Sequence, residues 1–258
     1  MLNFRNTIIS ALIVLALLAV ADLFTTVSLW IYTGIVLAVI IVLVWGSISI
    51  RAGFYMRSVC HGNRTKNSVT LTFDDGPDGS ITPVILDILK THNVKATFFV
   101  IGSKAEKYPE LMQRIDREGH IIGGHSYTHH FFFDLFSYRA MRQELLRTSE
   151  VIHGITGKKI RLFRPPYGVT NPTLSVVIRD TRYISIGWSL KSKDTMMHDE
   201  QKMLGRLTRK LRAGDILLFH DNRPGSARVL GTLISFIKEK QYIVEPLDTF
   251  LQIEAYEN

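Results

Sequence analysis

The chain has 258 residues, 31 Lys and Arg against 23 Asp and Glu, and one cysteine. Such a length holds one large domain of barrel size, and a lone cysteine excludes an intrachain disulfide. The formal charge of +8 favours an anionic neighbour, whether a lipid surface, a lipid phosphate or an acidic glycan. Nucleic acid is set aside as a partner, because no recognition motif accompanies the charge.

In chain order, residues 1–50 differ in kind from the rest. Arg5 and Asp22 are their only charged residues, so the whole net charge belongs to 51–258. Two hydrophobic segments, 7–24 and 29–50, read as transmembrane helices. The second would be about 33 Å long as a helix, enough to cross a bilayer. Ala19-Val20-Ala21 also resembles a signal cleavage site, so removal of the first segment is an alternative. Arg51, Arg57, Arg64 and Lys66 crowd the exit from the second segment, and positive-inside bias favours the cytoplasmic side of the cell membrane for that end and, with two spans, for the folded part; if only one segment spans, the folded part lies outside. We read 1–50 as a two-helix membrane anchor, 51–67 as a basic linker and 68–258 as the functional domain. Cys60 is either a quiet thiol or a lipidated one.

Beyond residue 66, strands are expected at 68–74, 95–101, 120–124, 161–164, 183–188, 215–220 and 242–245. Helices are expected at 83–91, 109–118, 138–154, 172–180, 200–212 and 227–240, with a last one at the C-terminus. This alternation is the signature of an α/β fold with a parallel sheet and helices outside, and its length suits a closed barrel. The basic residues Lys202, Arg206, Arg209, Lys210 and Arg212 read as a solvated helix face with cations toward its C-terminus.

Four segments carry chemistry. Thr72-Phe73-Asp74-Asp75-Gly76-Pro77 ends an apolar run in two adjacent carboxylates, which repel and need a counter-charge. A metal ion would supply it, with one Asp as ligand and the other as base; a turn or helix cap is the plain alternative. Gly124-His125-Ser126-Tyr127-Thr128-His129 spaces two histidines so that a helical turn would present them on one face. Asp75, His125 and His129 would then form a two-His, one-carboxylate metal site. In Arg161-Leu162-Phe163-Arg164-Pro165-Pro166-Tyr167-Gly168, the strand-end Arg could pair with one crowded carboxylate, and the rigid turn could aim a backbone N–H at an oxyanion. The run 214–221 ends in His220, a candidate proton donor or a structural histidine. Asp74, Asp75, Arg164 and His220 all fall at strand C-terminal ends, where barrel active sites sit.

Together these segments resemble the polysaccharide deacetylase family, carbohydrate esterase family 4, over about residues 68–250. The resemblance implies a distorted (β/α) barrel of seven strands. It implies Asp74 as base and Asp75, His125 and His129 as ligands of one divalent metal, which we take as zinc. It also implies that Arg164 pairs with Asp74, that the Tyr167 N–H meets the oxyanion, that Leu218 lines the acetyl pocket and that His220 is the acid. The implied reaction is metal-assisted removal of N-acetyl groups from an amino-sugar glycan, whether peptidoglycan, a chitin-like oligosaccharide or a lipid-linked sugar. Membrane lipid is the expected second partner.

One motif departs from the family. In Trp188-Ser189-Leu190-Lys191-Ser192-Lys193-Asp194-Thr195, Lys191 stands where the family has its first Asp and Thr195 where it has Trp. Either Asp194 takes over the support of His220, or Lys191 points at substrate, or the acid step is weak; a Lys reaching out to solvent is the plain alternative. A silent metal-binding membrane scaffold is therefore a rival reading. A non-haem iron oxygenase is another, since it uses the same ligand set. The aromatic run 131–136 could form an apolar lip facing lipid or pack beneath the barrel rim.

Overall fold

A computed structural model describes residues 2–197 and 199–257. The chain begins with two helices, α1 (Phe4–Asp22) and α2 (Leu29–Ile48), paired as a hairpin. Asn3 and Ser28 cap their N-termini through side-chain oxygens, and Asp22 Oδ1 accepts the Val27 N–H at 2.7 Å to close the turn. Both helices are long and apolar enough to cross a membrane by length and composition. Within α1 no residue is buried, and within α2 only Gly46 is.

The remainder is a curled parallel sheet flanked by helices. Its strands are β1 (Ser68–Asp74), β2 (Thr97–Val100), β3 (Ile121–Gly124), β4 (Leu162–Phe163), β5 (Ile184–Ser185), β6 (Leu190–Lys191) and β7 (Ile216–His220). They run in the order β5-β4-β3-β2-β1-β7-β6, and each pairing is parallel. The seven-stranded expectation holds for this path. A short eighth strand, β8 (Ile243–Val244), pairs with the first two residues of β1. The helices are α3 (Ile81–Thr91), α4 (Gly102–Lys107), α5 (Pro109–Arg117), α6 (Tyr138–Thr156), α7 (Pro172–Thr181), α8 (Glu200–Lys210), α9 (Pro224–Glu239) and α10 (Leu247–Leu251). Helix α4 and strand β6 were not expected from the sequence. The long α6 stops at Gly157 rather than Gly154; Gly157 takes φ 73°, the left-handed cap that glycine permits.

Side-chain alternation divides the core into layers. Val69, Leu71 and Phe73 of β1 and Phe98 of β2 pack outward with the helices, Leu86 and Leu230 among them. Phe99, Leu162, Ile186 and Ile216 point the other way and meet Leu247 and Phe250 of α10 inside the barrel. Every residue of β1 is buried, as a strand covered on both faces must be.

The two sheet edges, β5 and β6, do not pair with each other. The stretch 58–62 runs from the end of β5 to the start of β7. Val59 bridges Ile186 in parallel, with Val59 N donating to Ser185 O at 2.8 Å, and His61 bridges Asp215 antiparallel. The segment read from sequence as a basic linker thus also contributes wall to the barrel. Cys60 sits in this seam at 8% exposure.

Candidate active site

Register brings the chemistry together. Asp74 ends β1, and its Cα partner across the β1–β7 pair is His220, the last residue of β7. Asp74, Asp75, His125, His129, Tyr167, Lys191, Leu218 and His220 all line one cavity of about 280 Å³ at the C-terminal ends of the strands.

Arg164 is fully buried behind Asp74. Its Nη1 donates to Asp74 Oδ1 at 2.7 Å and to Thr72 Oγ1 at 2.8 Å, while Nε and Nη2 donate to the carbonyls of Ile186 and Gly187 at 3.2 and 2.8 Å. The guanidinium carbon lies 4.2 Å from the centre of the Phe99 ring. Burial pulls the Arg164 pKa down and the Asp74 carboxylate opposes that pull; an arginine so paired keeps its charge. This fork fixes Asp74 in one orientation.

Asp75 faces the two histidines. Its Oδ1 lies 3.5 Å from His125 Nε2 and 3.4 Å from His129 Nε2. One ligand atom from each of the three residues lies within 4.8 Å of the other two. The His125 Nδ1 is 2.7 Å from the Arg164 carbonyl oxygen. A carbonyl only accepts, so Nδ1 is the donor there and Nε2 is the nitrogen that faces the cluster. Burial, with the neighbouring His125, lowers His129 to about 4 and leaves it neutral at pH 7. Burial alone would raise Asp75, yet hydrogen bonding to His125, with His220 and His129 close by, holds it well below the usual carboxylate range. A carboxylate and two imidazoles are a donor set that fits a divalent metal.

The two histidines do not share a helical turn. Residues 125–130 form a loop in which Ser126 and His129 take φ of 61° and 51°. Glu144 on α6 holds that loop, its carboxylate accepting the N–H groups of Tyr127 and Thr128 at 2.9 and 2.8 Å. Lys104 on α4 donates to the Asp75 carbonyl at 2.7 Å. Asp75 and Tyr167 also have positive φ, 73° and 59°. Such conformations cost a non-glycine residue of order 1–3 kcal/mol and collect at functional sites. The strain, Glu144 and Lys104 escaped the sequence reading, because no local motif marks them.

On the far wall, Asp194 supports His220. Its Oδ1 lies 2.7 Å from His220 Nδ1, its Oδ2 accepts the His220 N–H at 2.8 Å, and Ser226 Oγ donates to the same oxygen. Burial pulls His220 down, but the hydrogen bond and charge of Asp194, followed by the charges of Asp74 and Asp75, raise it above its ordinary value. Asp194 is lowered in turn by His220 against the cost of burial. Of the open readings at this motif, the geometry matches support of His220 by Asp194. Lys191 lines the same cavity, with Nζ 5.6 Å from the centre of the Trp188 ring. Leu218 is buried in the cavity wall. Tyr167 exposes its side chain and sets its ring 4.7 Å from that of His129, and the following Gly168, at φ 70°, leaves room for Trp188.

Comparison with known proteins gives the family. The family model described as polysaccharide deacetylase matches residues 61–184. A peptidoglycan-N-acetylglucosamine deacetylase of Bacillus cereus is 34% identical over 183 residues, which is 69% of this chain and 66% of that protein. The chain therefore spans just under two thirds of that relative's length. The peptidoglycan-N-acetylmuramic acid deacetylase PdaA of Bacillus subtilis is 32% identical, over 74% of this chain and 73% of that protein. Among solved structures, the Bc1960 peptidoglycan N-acetylglucosamine deacetylase superposes with a TM-score of 0.74 at 31% identity, covering 78% of this chain and 95% of the other. The chain belongs to the polysaccharide deacetylase family, carbohydrate esterase family 4.

Proposed function

We propose that this protein is a membrane-anchored, metal-dependent N-deacetylase that removes acetyl groups from an amino-sugar glycan. The observation that carries the reading is the opposition, across one cavity, of an arginine-paired carboxylate, Asp74, and a carboxylate-paired imidazole, His220. A general base and a general acid held by separate partners on facing walls suit hydrolysis of an amide.

Asp75, His125 and His129 would hold one divalent metal, zinc in our reading, with the Asp74 carboxylate beside it. A metal there supplies Lewis-acid polarisation of the amide carbonyl and a lowered pKa for the attacking water. Asp74, oriented by Arg164, takes the proton from that water. The backbone N–H of Tyr167 meets the oxygen on which negative charge develops. Leu218 receives the acetyl methyl. His220, with Nδ1 committed to Asp194, delivers a proton from Nε2 to the departing nitrogen. Acetate and a free amino sugar leave.

Relatives named for peptidoglycan and chitooligosaccharide deacetylation support an amino-sugar substrate. The paired apolar helices support attachment to a membrane. The test is acetate release from N-acetylglucosamine oligomers and from peptidoglycan by the full-length protein. Activity should vanish with a chelator, return on addition of zinc, and be missing in Asp74→Asn. No acetate from any N-acetylated glycan, with or without added metal, would favour a silent scaffold instead.

A further inference from the structure

The membrane helices are fastened to the barrel next to the candidate site. At the end of α2, Ser47 Oγ donates to the Thr170 carbonyl at 2.7 Å, and Thr170 N donates to the Ser47 carbonyl at 2.9 Å. Thr170 belongs to the same loop as Tyr167. Its neighbour Asn171 donates through Nδ2 to the Asp134 carbonyl at 2.6 Å. The loop that follows the candidate ligand His129 thus lies one residue away from the docked end of α2. In that loop Phe133 is buried, but Phe131, Phe132 and Leu135 are exposed at 70, 53 and 75%. The Phe131 ring centre is 6.2 Å from that of Tyr167, so this apolar rim borders the mouth of the site. Contiguous exposed apolar side chains mark a contact surface. The surroundings identify the contact as lipid. Phe4 at the start of α1 and Trp45 near the end of α2 meet Phe54 edge-to-face, an aromatic cluster of the kind found at membrane interfaces.

Charge completes the surface. Lys191 and Arg223 stand on the cavity wall, and among the described residues neither has a carboxylate oxygen within 4.0 Å. Lys191 also opens onto a second cavity of about 440 Å³ lined by Arg51, Arg206, Arg209, Lys210 and Arg212. The one acid there, Asp215, is already engaged by Arg64 at 2.6 Å. Arg51 follows directly on the end of α2, so this basic cavity adjoins the membrane helices. Arg51 and Arg206 donate to backbone carbonyls, but among the described residues none of these five cations pairs with a carboxylate; such a cavity calls for an anion, and phosphate is the anion that a lipid surface presents.

We propose that the amino sugar reaches the site on a lipid carrier through a phosphate link. The rim of Phe131, Phe132 and Leu135 rests in the membrane surface beside α2, and Lys191 with the adjoining basic cavity holds the phosphate. This rests on the deacetylase reading above.

The experiment uses the full-length protein in phosphatidylcholine vesicles and one N-acetylated disaccharide in three forms: free in solution, as a neutral alkyl glycoside in the bilayer, and on a prenyl diphosphate in the bilayer. Acetate is measured. The diphosphate form should have a kcat/KM about tenfold or more above the other two. Its advantage over the alkyl glycoside should disappear in Lys191→Gln. Equal or faster turnover of the free sugar overturns the lipid carrier and leaves the deacetylase intact. Equal turnover of the two bilayer forms overturns the phosphate link. Acetate from none of the three removes both readings. A second measurement is independent of turnover. A fluorophore on Leu135→Cys should be quenched by nitroxide-labelled lipids, whereas one on Glu239→Cys, at the far end of α9, should not. Equal quenching at the two positions overturns the membrane contact.

Discussion

Asp194 grips His220 at two points, with Oδ1 2.7 Å from the ring Nδ1 and Oδ2 2.8 Å from the backbone nitrogen. The ring is thereby held with Nε2 as its free nitrogen, and the buried carboxylate raises its pKa. A proton donor works only while protonated, so turnover should fall as pH rises through that raised value. In Asp194→Asn the hydrogen bond weakens and the charge is gone, leaving only the charges of Asp74 and Asp75 to oppose the burial that pushes His220 down. The alkaline limb of kcat against pH should therefore move to lower pH, with a loss of about tenfold or more at pH 8. A limb that stays in place would remove Asp194 from the support of His220.

Asp74→Asn separates base from ligand. The substitution should lower kcat by about 10²- to 10⁴-fold, the usual worth of a general base. Zinc content should not change, because Asp75, His125 and His129 remain. Asparagine can still accept from Arg164 through its carbonyl oxygen, so the fold should survive. Asp74→Ala would strand a guanidinium with 0% exposure, and breaking a buried pair costs about 3–5 kcal/mol. The two variants should be alike in their lost activity and differ clearly in Tm.

Much of this geometry was legible beforehand, for a physical reason. β1 is both an apolar run and the carrier of the two carboxylates, and barrel chemistry is confined to strand ends, so Asp74 and His220 could be placed by pattern alone. The two-residue β6 offers too short a period to read. The His125–His129 spacing suggested a helical turn, but Glu144 and the positive φ of Ser126 hold a loop instead. Closure of the barrel by 58–62 depends on Val59 meeting Ile186, a pairing far apart in sequence and without a local signal. The run 131–136 divides, with Phe133 packed in the core and Phe131, Phe132 and Leu135 exposed, a split that no period in the sequence announces.

Asp221 predicts a pH dependence of stability unrelated to the acid–base pair. It is almost fully buried; Thr82 Oγ1 donates to its Oδ2 at 2.6 Å, and its Oδ1 has no partner among the described residues. Burial pushes its pKa up to about 7. A carboxyl that titrates near 7 when folded and near ~4 when unfolded binds more protons in the folded state. Its contribution to stability is present below about pH 4 and is lost as pH rises toward 7. Asp221→Asn removes the ionisation and keeps an acceptor for Thr82. For metal-free protein, Tm of the variant should exceed that of the parent at pH 8 and not at pH 4.5. A gain at both pH values, or at neither, would detach the effect from Asp221 ionisation.

Charge predicts a side of the membrane, and one thiol tests it. Arg51, Arg57, Arg64 and Lys66 cluster just past α2, and for two membrane spans positive-inside bias predicts that end, and the barrel with it, in the cytoplasm. Cys60 is the only native cysteine, but it is a poor reporter. It is 8% exposed, and burial raises its thiol pKa against the opposing charges of Arg51 and Arg164, so little reactive thiolate reaches a reagent. The parent protein should stay unlabelled by a membrane-impermeant maleimide, in intact cells and in opened membranes alike. Glu239→Cys adds an exposed thiol at the end of α9 and leaves the candidate site untouched. With the barrel in the cytoplasm, that thiol should label only after the membrane is opened. Labelling in intact cells would put the barrel outside, where the basic cluster past α2 would have to be outweighed by another determinant of insertion.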